Sequence, residues 1–409
     1  MPLLGVWHTT DYNPPVPLPE SRDRSYAKAR IRILAAALAA TSSGQAVSYS
    51  RRPKWYTDNK RYAGSGLTYL YVIRAIDELR DLGWINDIVA KPWPEGRGTQ
   101  STFQASEHLL EQAGSTPLAY HPDEVIVLHG TDRKLASFRD TDFTHKQRRA
   151  LREWNEAVAA SSITLNAPDV DWTGRPLRID NCFIDPRRVR QHRVYNGNFR
   201  HGGRAYGGWW LELTHSKDER WRRRQIEIDG KPTVELDFSA CQPFLLYAEL
   251  GLVPDDPYRV TAVERPTVKA AMLRLINAAS KGEAEGSLAA WLAGLGDGVD
   301  QGVSPAATTV RRTLVGAQLP EARRVIAAIA DRHPRIARKF CEPRLGVRLQ
   351  WLEAQVMATV AKRCLRANIV PLCVHDSMLV PAKRKGQLTE FMHAAWFDRF
   401  GVYPVVKAG

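Results

Sequence analysis

Residues 233–243 read Thr-Val-Glu-Leu-Asp-Phe-Ser-Ala-Cys-Gln-Pro, and the chain continues into an apolar stretch, Phe244 to Leu250. This pattern predicts an apolar strand that delivers Asp237 at its end, then a turn into an apolar helix. A second segment, residues 369–380, reads Ile-Val-Pro-Leu-Cys-Val-His-Asp-Ser-Met-Leu-Val and predicts a hairpin with His375, Asp376 and Ser377 at its tip. An aspartate embedded in strands this apolar is costly unless it is paired or binds a cation. Two of them invite a shared divalent metal.

Two carboxylates from separate strands are what a two-metal phosphoryl-transfer site requires. One Mg²⁺ lowers the pKa of an attacking 3′-hydroxyl while the other holds the triphosphate and leaving group. A third segment supplies countercharge: residues 265–269, Arg-Pro-Thr-Val-Lys, set two cations four apart on a helix that runs on to Met272, Leu273, Leu275 and Ile276. Such a helix presents Arg265 and Lys269 to triphosphate oxygens while its apolar face packs on the body. No P-loop is present.

These three segments resemble motifs A, B and C of the superfamily that joins family A (Pol I-like) DNA polymerases to the phage and mitochondrial single-subunit RNA polymerases. A fourth match is Gly203-Arg204, within Phe199-Arg-His-Gly-Gly-Arg-Ala-Tyr206, which resembles the element that contacts the template strand in those enzymes. The order is the family's, and the resemblance covers about Tyr195 to Val406. It implies that Asp237 and Asp376 bind two Mg²⁺ or Mn²⁺ ions, with the backbone carbonyl of Phe238 as an extra ligand. It implies that Arg265 and Lys269 clamp the triphosphate, with Lys269 also giving a proton to the departing pyrophosphate. His375 would steady the primer end, and Arg204, with Gly203, would hold template or hybrid.

Gln242 stands where the DNA enzymes carry a glutamate that excludes the 2′-hydroxyl, and Asn277 and Ala278 stand where the family has Tyr and Gly. Both positions bear on nucleotide binding and leave the choice between dNTP and NTP open. His-Asp-Ser in place of His-Asp-Glu, and Tyr247-Ala-Glu-Leu-Gly251 after motif A, lean toward the RNA-polymerase side. The chain is too short for a promoter-recognition apparatus and shows no exonuclease carboxylate cluster, which leaves a minimal palm-and-fingers polymerase, primase-like in scale. Taken singly, Asp237 also suits a helix N-cap, His375-Asp376-Ser377 a plain turn, and Arg265 with Lys269 a solvated face. Glu353, on the helix before motif C, reads equally as a carboxylate supporting the site or as a surface residue.

Upstream, five prolines in residues 1–20 predict an irregular tail. Ala27 to Thr41 and Leu67 to Leu82 read as helices, Trp84 to Val89 and Gln100 to Phe103 as a hairpin whose tip carries Lys91 and Arg97. Helix, helix and hairpin is the order of a winged helix-turn-helix, and Arg51, Arg52 and Lys54, with Lys60 and Arg61, supply a basic surface for duplex DNA. The expected organisation is a tail (1–20), a winged-helix-like domain (21–135), a connecting or thumb-like segment (136–194) and an α+β palm-and-fingers unit (195–409). Lys217, Arg220, Arg222, Arg223 and Arg224, and Arg187, Arg188, Arg190 and Arg193, flank Gly203-Arg204 as phosphate-tracking candidates. Trp209 and Trp210 read as core residues, with base stacking as the alternative.

Composition agrees with a polyanionic partner. The 409 residues hold 58 Lys+Arg against 44 Asp+Glu, a formal +14. No apolar run is long enough to cross a bilayer, so nucleic acid leads over an anionic membrane surface. Five cysteines without a Cys-x-x-Cys pair exclude a zinc knuckle and a disulfide framework, and predict a reducing, cytoplasmic setting. The expected partners are duplex and single-stranded template DNA and nucleoside triphosphates, in the replication of a phage or mobile element. The competing expectation is a replication-initiation or transcription factor whose polymerase-like domain is silent. Nothing in the sequence fixes an oligomeric state.

Overall fold

A computed structural model describes residues 3, 7–9, 12–58, 66–90, 100–114, 116–122, 124–179, 182–213, 220–295 and 305–409. Helices and strands are mixed throughout, and the described apolar residues gather into two clusters, one built from Leu3 to Ala113 and the other from Val125 to Trp396.

Around the first cluster run β1 (Trp7–Thr9), α1 (Arg24–Thr41), β2 (Val47–Tyr49), α2 (Pro53–Asp58), α3 (Tyr69–Asp81), β3 (Ile85–Ile88), β4 (Ser101–Ala105), α4 (Glu107–Ala113) and β5 (Leu118–Tyr120). Helix α1 starts where the Asp23 side chain accepts from the Ser25 and Tyr26 N–H groups. It is apolar nearly all round from Ile33 to Ala40, which suits a helix enclosed by its neighbours. Of its two buried arginines, Arg30 and Arg32, Arg30 meets Glu78 of α3 at 2.6 Å. Strands β2, β4 and β3 form an antiparallel sheet in that order. The expected basic residues Lys60, Arg61, Lys91 and Arg97 lie outside the described residues.

The second cluster begins with β6 (Ile126–His129), α5 (Asp142–Ala159), β7 (Ile163–Leu165), β8 (Leu177–Ile179), β9 (Cys182–Ile184), β10 (His192–Asn196) and β11 (Asn198–Tyr206). It continues through α6 (Arg220–Arg223), β12 (Ile226–Ile228), β13 (Lys231–Phe238), α7 (Cys241–Ala248), α8 (Arg265–Asn277), α9 (Lys281–Leu292) and α10 (Pro305–Arg332). Helices α11 (Pro334–Ala337) and α12 (Leu345–Arg366), strands β14 (Leu372–Val374) and β15 (Ser377–Pro381), helix α13 (Lys385–Phe400) and β16 (Val406–Ala408) complete it.

Strand β6, expected with the N-terminal part, pairs in parallel with β10 of this second unit. The segment expected as a connector also contributes to the core, because β7 pairs with β12 at one end of the sheet β14-β15-β13-β12-β7. Side chains alternate across a strand, so Leu236 and Phe238 of β13 turn to the helical side, where Phe238 meets Trp396 of α13 at 4.8 Å between ring centroids. Glu235 and Asp237 therefore face the other way.

Strand β14 ends this sheet, and an edge strand leaves backbone groups that need partners. Three side chains from earlier in the chain provide them. Trp154 of α5 donates from Nε1 to the Pro371 carbonyl at 2.8 Å, Trp210 from Nε1 to the Cys373 carbonyl at 3.1 Å, and Gln191 from Nε2 to the same carbonyl at 3.4 Å. Both Trp209 and Trp210 are fully buried, which settles them as core rather than base-stacking residues. Trp209 Nε1 has no hydrogen-bond partner among the described residues. Trp210→Phe is therefore expected to lower the unfolding free energy by about 1 kcal/mol more than Trp209→Phe, since both lose the same ring volume but only one gives up a bond. Urea unfolding of the two variants checks this; equal losses would mean the indole does not hold the β14 edge.

Candidate active site

Asp237 and Asp376 arrive from neighbouring strand ends. In the β13–β15 register Asp237 stands opposite Ser377, one residue from Asp376, and the Phe238 N–H donates to the Asp376 carbonyl at 3.3 Å. Ser377 Oγ donates to the Val374 carbonyl at 3.1 Å and also bonds Glu235, closing the turn. Two residues flanking the carboxylates hold left-handed backbone, Ala240 at φ 49° and His375 at φ 57°. Such conformations cost a residue with a Cβ about 1–2 kcal/mol each, and the surrounding strand and helix contacts must offset that. Asp237, His375 and Asp376 line a cavity of about 160 Å³ together with Glu235, Ser377, Arg223 and Arg224.

Behind Asp376 lies a buried ion pair. Strand β11 bulges against β10, with Gly202 and Gly203 at φ 75° and 85°. A Cβ on Gly203 would sit 2.8 Å from the Tyr195 ring, so only glycine fits. The next residue, Arg204, turns inward and grips Glu353 of α12 through two bonds, Nε to Oε1 at 2.7 Å and Nη2 to Oε2 at 2.6 Å. The arginine expected to hold template is thus committed to a carboxylate, and Glu353, read from the sequence as site support or surface, is inside. Donor atoms of Cys241, Glu353 and Asp376 lie within 4.8 Å of one another.

The electrostatics follow from this crowding. Burial pushes the Glu353 carboxyl up to about 7 against the pull of Arg204, and Asp376 and Asp237 push it the same way. Burial likewise raises Asp376, opposed by Arg204 and Lys407. It also raises the Cys241 thiol, which favours the protonated, weakly ligating form. A divalent cation would relieve the clustered carboxylates, and their oxygen donors suit a hard ion such as Mg²⁺ or Mn²⁺. Asp237 and Asp376 would hold it, with the Phe238 carbonyl adjacent in the chain. Lys407 was missed from sequence: β16 pairs with β13 so that Lys407 stands opposite Asp237, its Nζ 3.7 Å from Oδ2. The only signal was a short apolar stretch preceding it.

Helix α8 presents Arg265, Lys269, Leu273 and Asn277 on one exposed stripe, each four residues after the last. Val268, Met272, Leu275 and Ile276 point to the core. Arg265 is ion-paired to Asp256, and both cations of the stripe stand over the Tyr258 ring, which sequence reading overlooked. Tyr258 is raised to about 12, mainly by burial, with Cys241 and the Asp376 carboxylate acting in the same direction, so it lies within electrostatic reach of that cluster. Asn277 Nδ2 donates to the Leu273 carbonyl at 2.8 Å, and its side chain tucks against Gly346 of α12, where a Cβ would meet its oxygen. Gln242 is half-buried in the first turn of α7, directly after the Asp237 strand.

Several arginines expected to track phosphate have carboxylate partners instead. Arg222 is bidentate on Asp169 at 3.1 and 2.9 Å, and Arg223 on Glu235 at 3.1 and 3.2 Å, both side chains buried. Arg187 pairs with Asp185 and Arg190 with Glu156, while Arg193 is buried. In the first unit Arg51 joins Asp77 at 2.6 Å and Asp87 at 3.1 Å. Arg224 is exposed and donates to the Gly409 carbonyl at 3.0 Å. Arg52 and Lys54 are exposed at the start of α2, and Lys217 lies outside the described residues.

Compared with known proteins, the chain matches no protein-family model and no curated protein. Among solved structures it is similar to the POL domain of Pol1 from M. smegmatis in complex with DNA primer-template and dNTP, at 14% identity and a TM-score of 0.28. That likeness covers 65% of this chain and 51% of the other, so the chain spans about half the length of that structure. Likeness at this level assigns neither a family nor an activity.

Proposed function

We propose that this chain is a template-directed nucleotidyltransferase that adds nucleotides to a 3′-hydroxyl. The observation that carries the reading is the β13–β15 register, which sets Asp237 beside the Asp376 turn in one cavity. Carboxylates on adjacent strand ends are the donor pair that two-metal phosphoryl transfer uses. Bound there, Mg²⁺ or Mn²⁺ ions would acidify the 3′-hydroxyl and neutralise the leaving pyrophosphate.

The remaining roles belong to the chain's own side chains. Asp237 and Asp376 hold the cations, and Arg265 and Lys269 bind the triphosphate from the exposed stripe of α8. Lys269 also gives the proton that pyrophosphate takes on leaving. His375 steadies the primer end from the turn, where its ring stands 5.6 Å from that of Tyr206. Gln242 borders the sugar and Asn277 the nucleotide. Arg204 acts through Glu353, keeping α12 and the carboxylate cluster in place, rather than by touching template.

The first unit supports a winged-helix reading. What supports it is the order α1, β2, α2, α3, β3, β4 together with the three-stranded sheet β2-β4-β3. With Arg51 used internally, the exposed Arg52 and Lys54 become the phosphate contacts. The silent-polymerase alternative is disfavoured by the intact pair Asp237 and Asp376, which line one cavity.

Primer extension with labelled primer-template, dNTPs or NTPs, and Mg²⁺ or Mn²⁺ tests the proposal. Extension is expected with one nucleotide class. Asp237→Ala and Asp376→Ala should each reduce it by at least about a thousandfold, the scale of losing transition-state charge stabilisation. Extension under no combination, or surviving in either variant, would refute it. A separate binding measurement addresses the first unit: replacing Arg52 and Lys54 by alanine should reduce the slope of log affinity for duplex against log salt by about 2, roughly one per lost phosphate contact. An unchanged slope would remove α2 from the DNA surface.

A further inference from the structure

The turn at residues 256–258 does more than connect α7 to α8. Asp256 Oδ1 accepts the Tyr258 N–H at 3.0 Å, fixing the turn, while its other oxygen takes the Arg265 guanidinium. The Pro257 carbonyl accepts from His333 Nε2–H at 3.0 Å, and His333 Nδ1 accepts from the Tyr247 hydroxyl at 2.8 Å. Burial lowers the pKa of His333, so at neutral pH the ring is uncharged and one nitrogen donates while the other accepts. A hydrogen-bonded strut therefore runs from α7, the helix that begins just after Asp237, through the end of α10 to the residue before Tyr258.

Tyr258 itself stands between two like charges. The Arg265 Cζ is 5.4 Å and the Lys269 Nζ 5.5 Å from its ring centroid. Cations four apart on a helix repel, and an aromatic face offsets that by attracting each of them. The ring thus gives the two cations a shared neighbour, which limits how far apart they range before a ligand gathers them.

Resting on the nucleotidyltransferase reading, we propose that Tyr258 is a positioning residue of the triphosphate site, whose ring, seated by the Tyr247–His333–Pro257 strut, holds Arg265 and Lys269 together to receive one triphosphate. The ring touches no reacting atom. It acts on nucleotide affinity through the two cations, and the strut ties their position to the helix that follows Asp237.

The test uses the full chain with primer-template and Mg²⁺, measuring equilibrium binding of a fluorescent nucleoside triphosphate and, in parallel, the KM and kcat of extension. Tyr258→Phe keeps the ring and should stay within about twofold of the unsubstituted chain. Tyr258→Leu, and pentafluorophenylalanine introduced in place of Tyr258, remove or invert the electron-rich face. Each should weaken nucleotide binding and raise KM about fivefold, with kcat and primer-template affinity nearly unchanged. The fluorinated ring keeps the shape, so it decides the matter should the leucine variant lose its thermal transition. Unchanged nucleotide binding in the fluorinated protein, a phenylalanine variant as weak as the leucine one, or a loss confined to kcat would overturn the proposal. Failure of the unsubstituted chain to bind any triphosphate would instead overturn the nucleotidyltransferase reading, and Tyr258's role with it.

Discussion

The two-point grip of Arg204 on Glu353 is the interaction around which the second unit is organised. It crosses from β11 to α12 between residues 149 apart in sequence, and the Glu353 side chain is 0% exposed. Desolvating two such charges is expensive, and their attraction compensates only when the geometry is good and both ends stay occupied. The bidentate fit meets that condition. It also explains the glycines before it, since the bulge that turns Arg204 inward needs Gly202 and Gly203 at positive φ. A pair of this kind fixes where α12 lies, and α12 leads into β14 and the Asp376 turn.

The centre it supports is locally acidic in a chain that is basic overall. Asp237, Asp376, Glu353 and Glu235 converge there, and Arg204, Arg223 and Lys407 answer them from three different elements. Many of the 58 Lys and Arg residues are thus matched by carboxylates inside the protein, one for one, which leaves the formal +14 unchanged but shrinks the set of cations free to face phosphate. Arg51, Arg187, Arg190 and Arg222 are taken up in the same way, by carboxylates of their own units. A count of positive residues near a motif overstates the surface available to phosphate, because it cannot see the acids that folding brings to them.

That same blindness separates what was legible in the sequence from what was not. The strand ending at Asp237, the α8 stripe and the His375-Asp376 hairpin were readable because each is a local pattern, set by alternation, helical spacing or a turn. Arg222 finds Asp169 53 residues away, and Arg204 finds Glu353 149 away, so neither pairing has a local signature. Lys407 depends on β16 adding to the far side of β13, a choice of strand order that no short window contains. Tyr258 sits in an irregular turn, where periodicity gives no guidance. Strand β6 looked like the end of one unit and pairs with the next for the same reason: buried strands advertise that they need partners, not which ones.

Exposure divides the ion pairs of the site into two kinds with different consequences. Arg204 and Glu353 are 18% and 0% exposed, so breaking the pair strands a charge in a poorly hydrated place, and the pair is part of the architecture. Lys407 and Asp237 are 52% and 27% exposed, and Arg265 and Asp256 are 50% and 34% exposed. Pairs in that setting contribute only about 0–1 kcal/mol, because water solvates both partners well when they part. They are therefore exchangeable. Under the proposed function, a divalent cation at Asp237 would replace an ammonium that is held weakly, and a triphosphate at Arg265 would replace a carboxylate held no more tightly. Buried pairs keep the carboxylates and α12 in register, while exposed pairs occupy the positions that ligand charges would take, and folding needs only the first kind to stay closed.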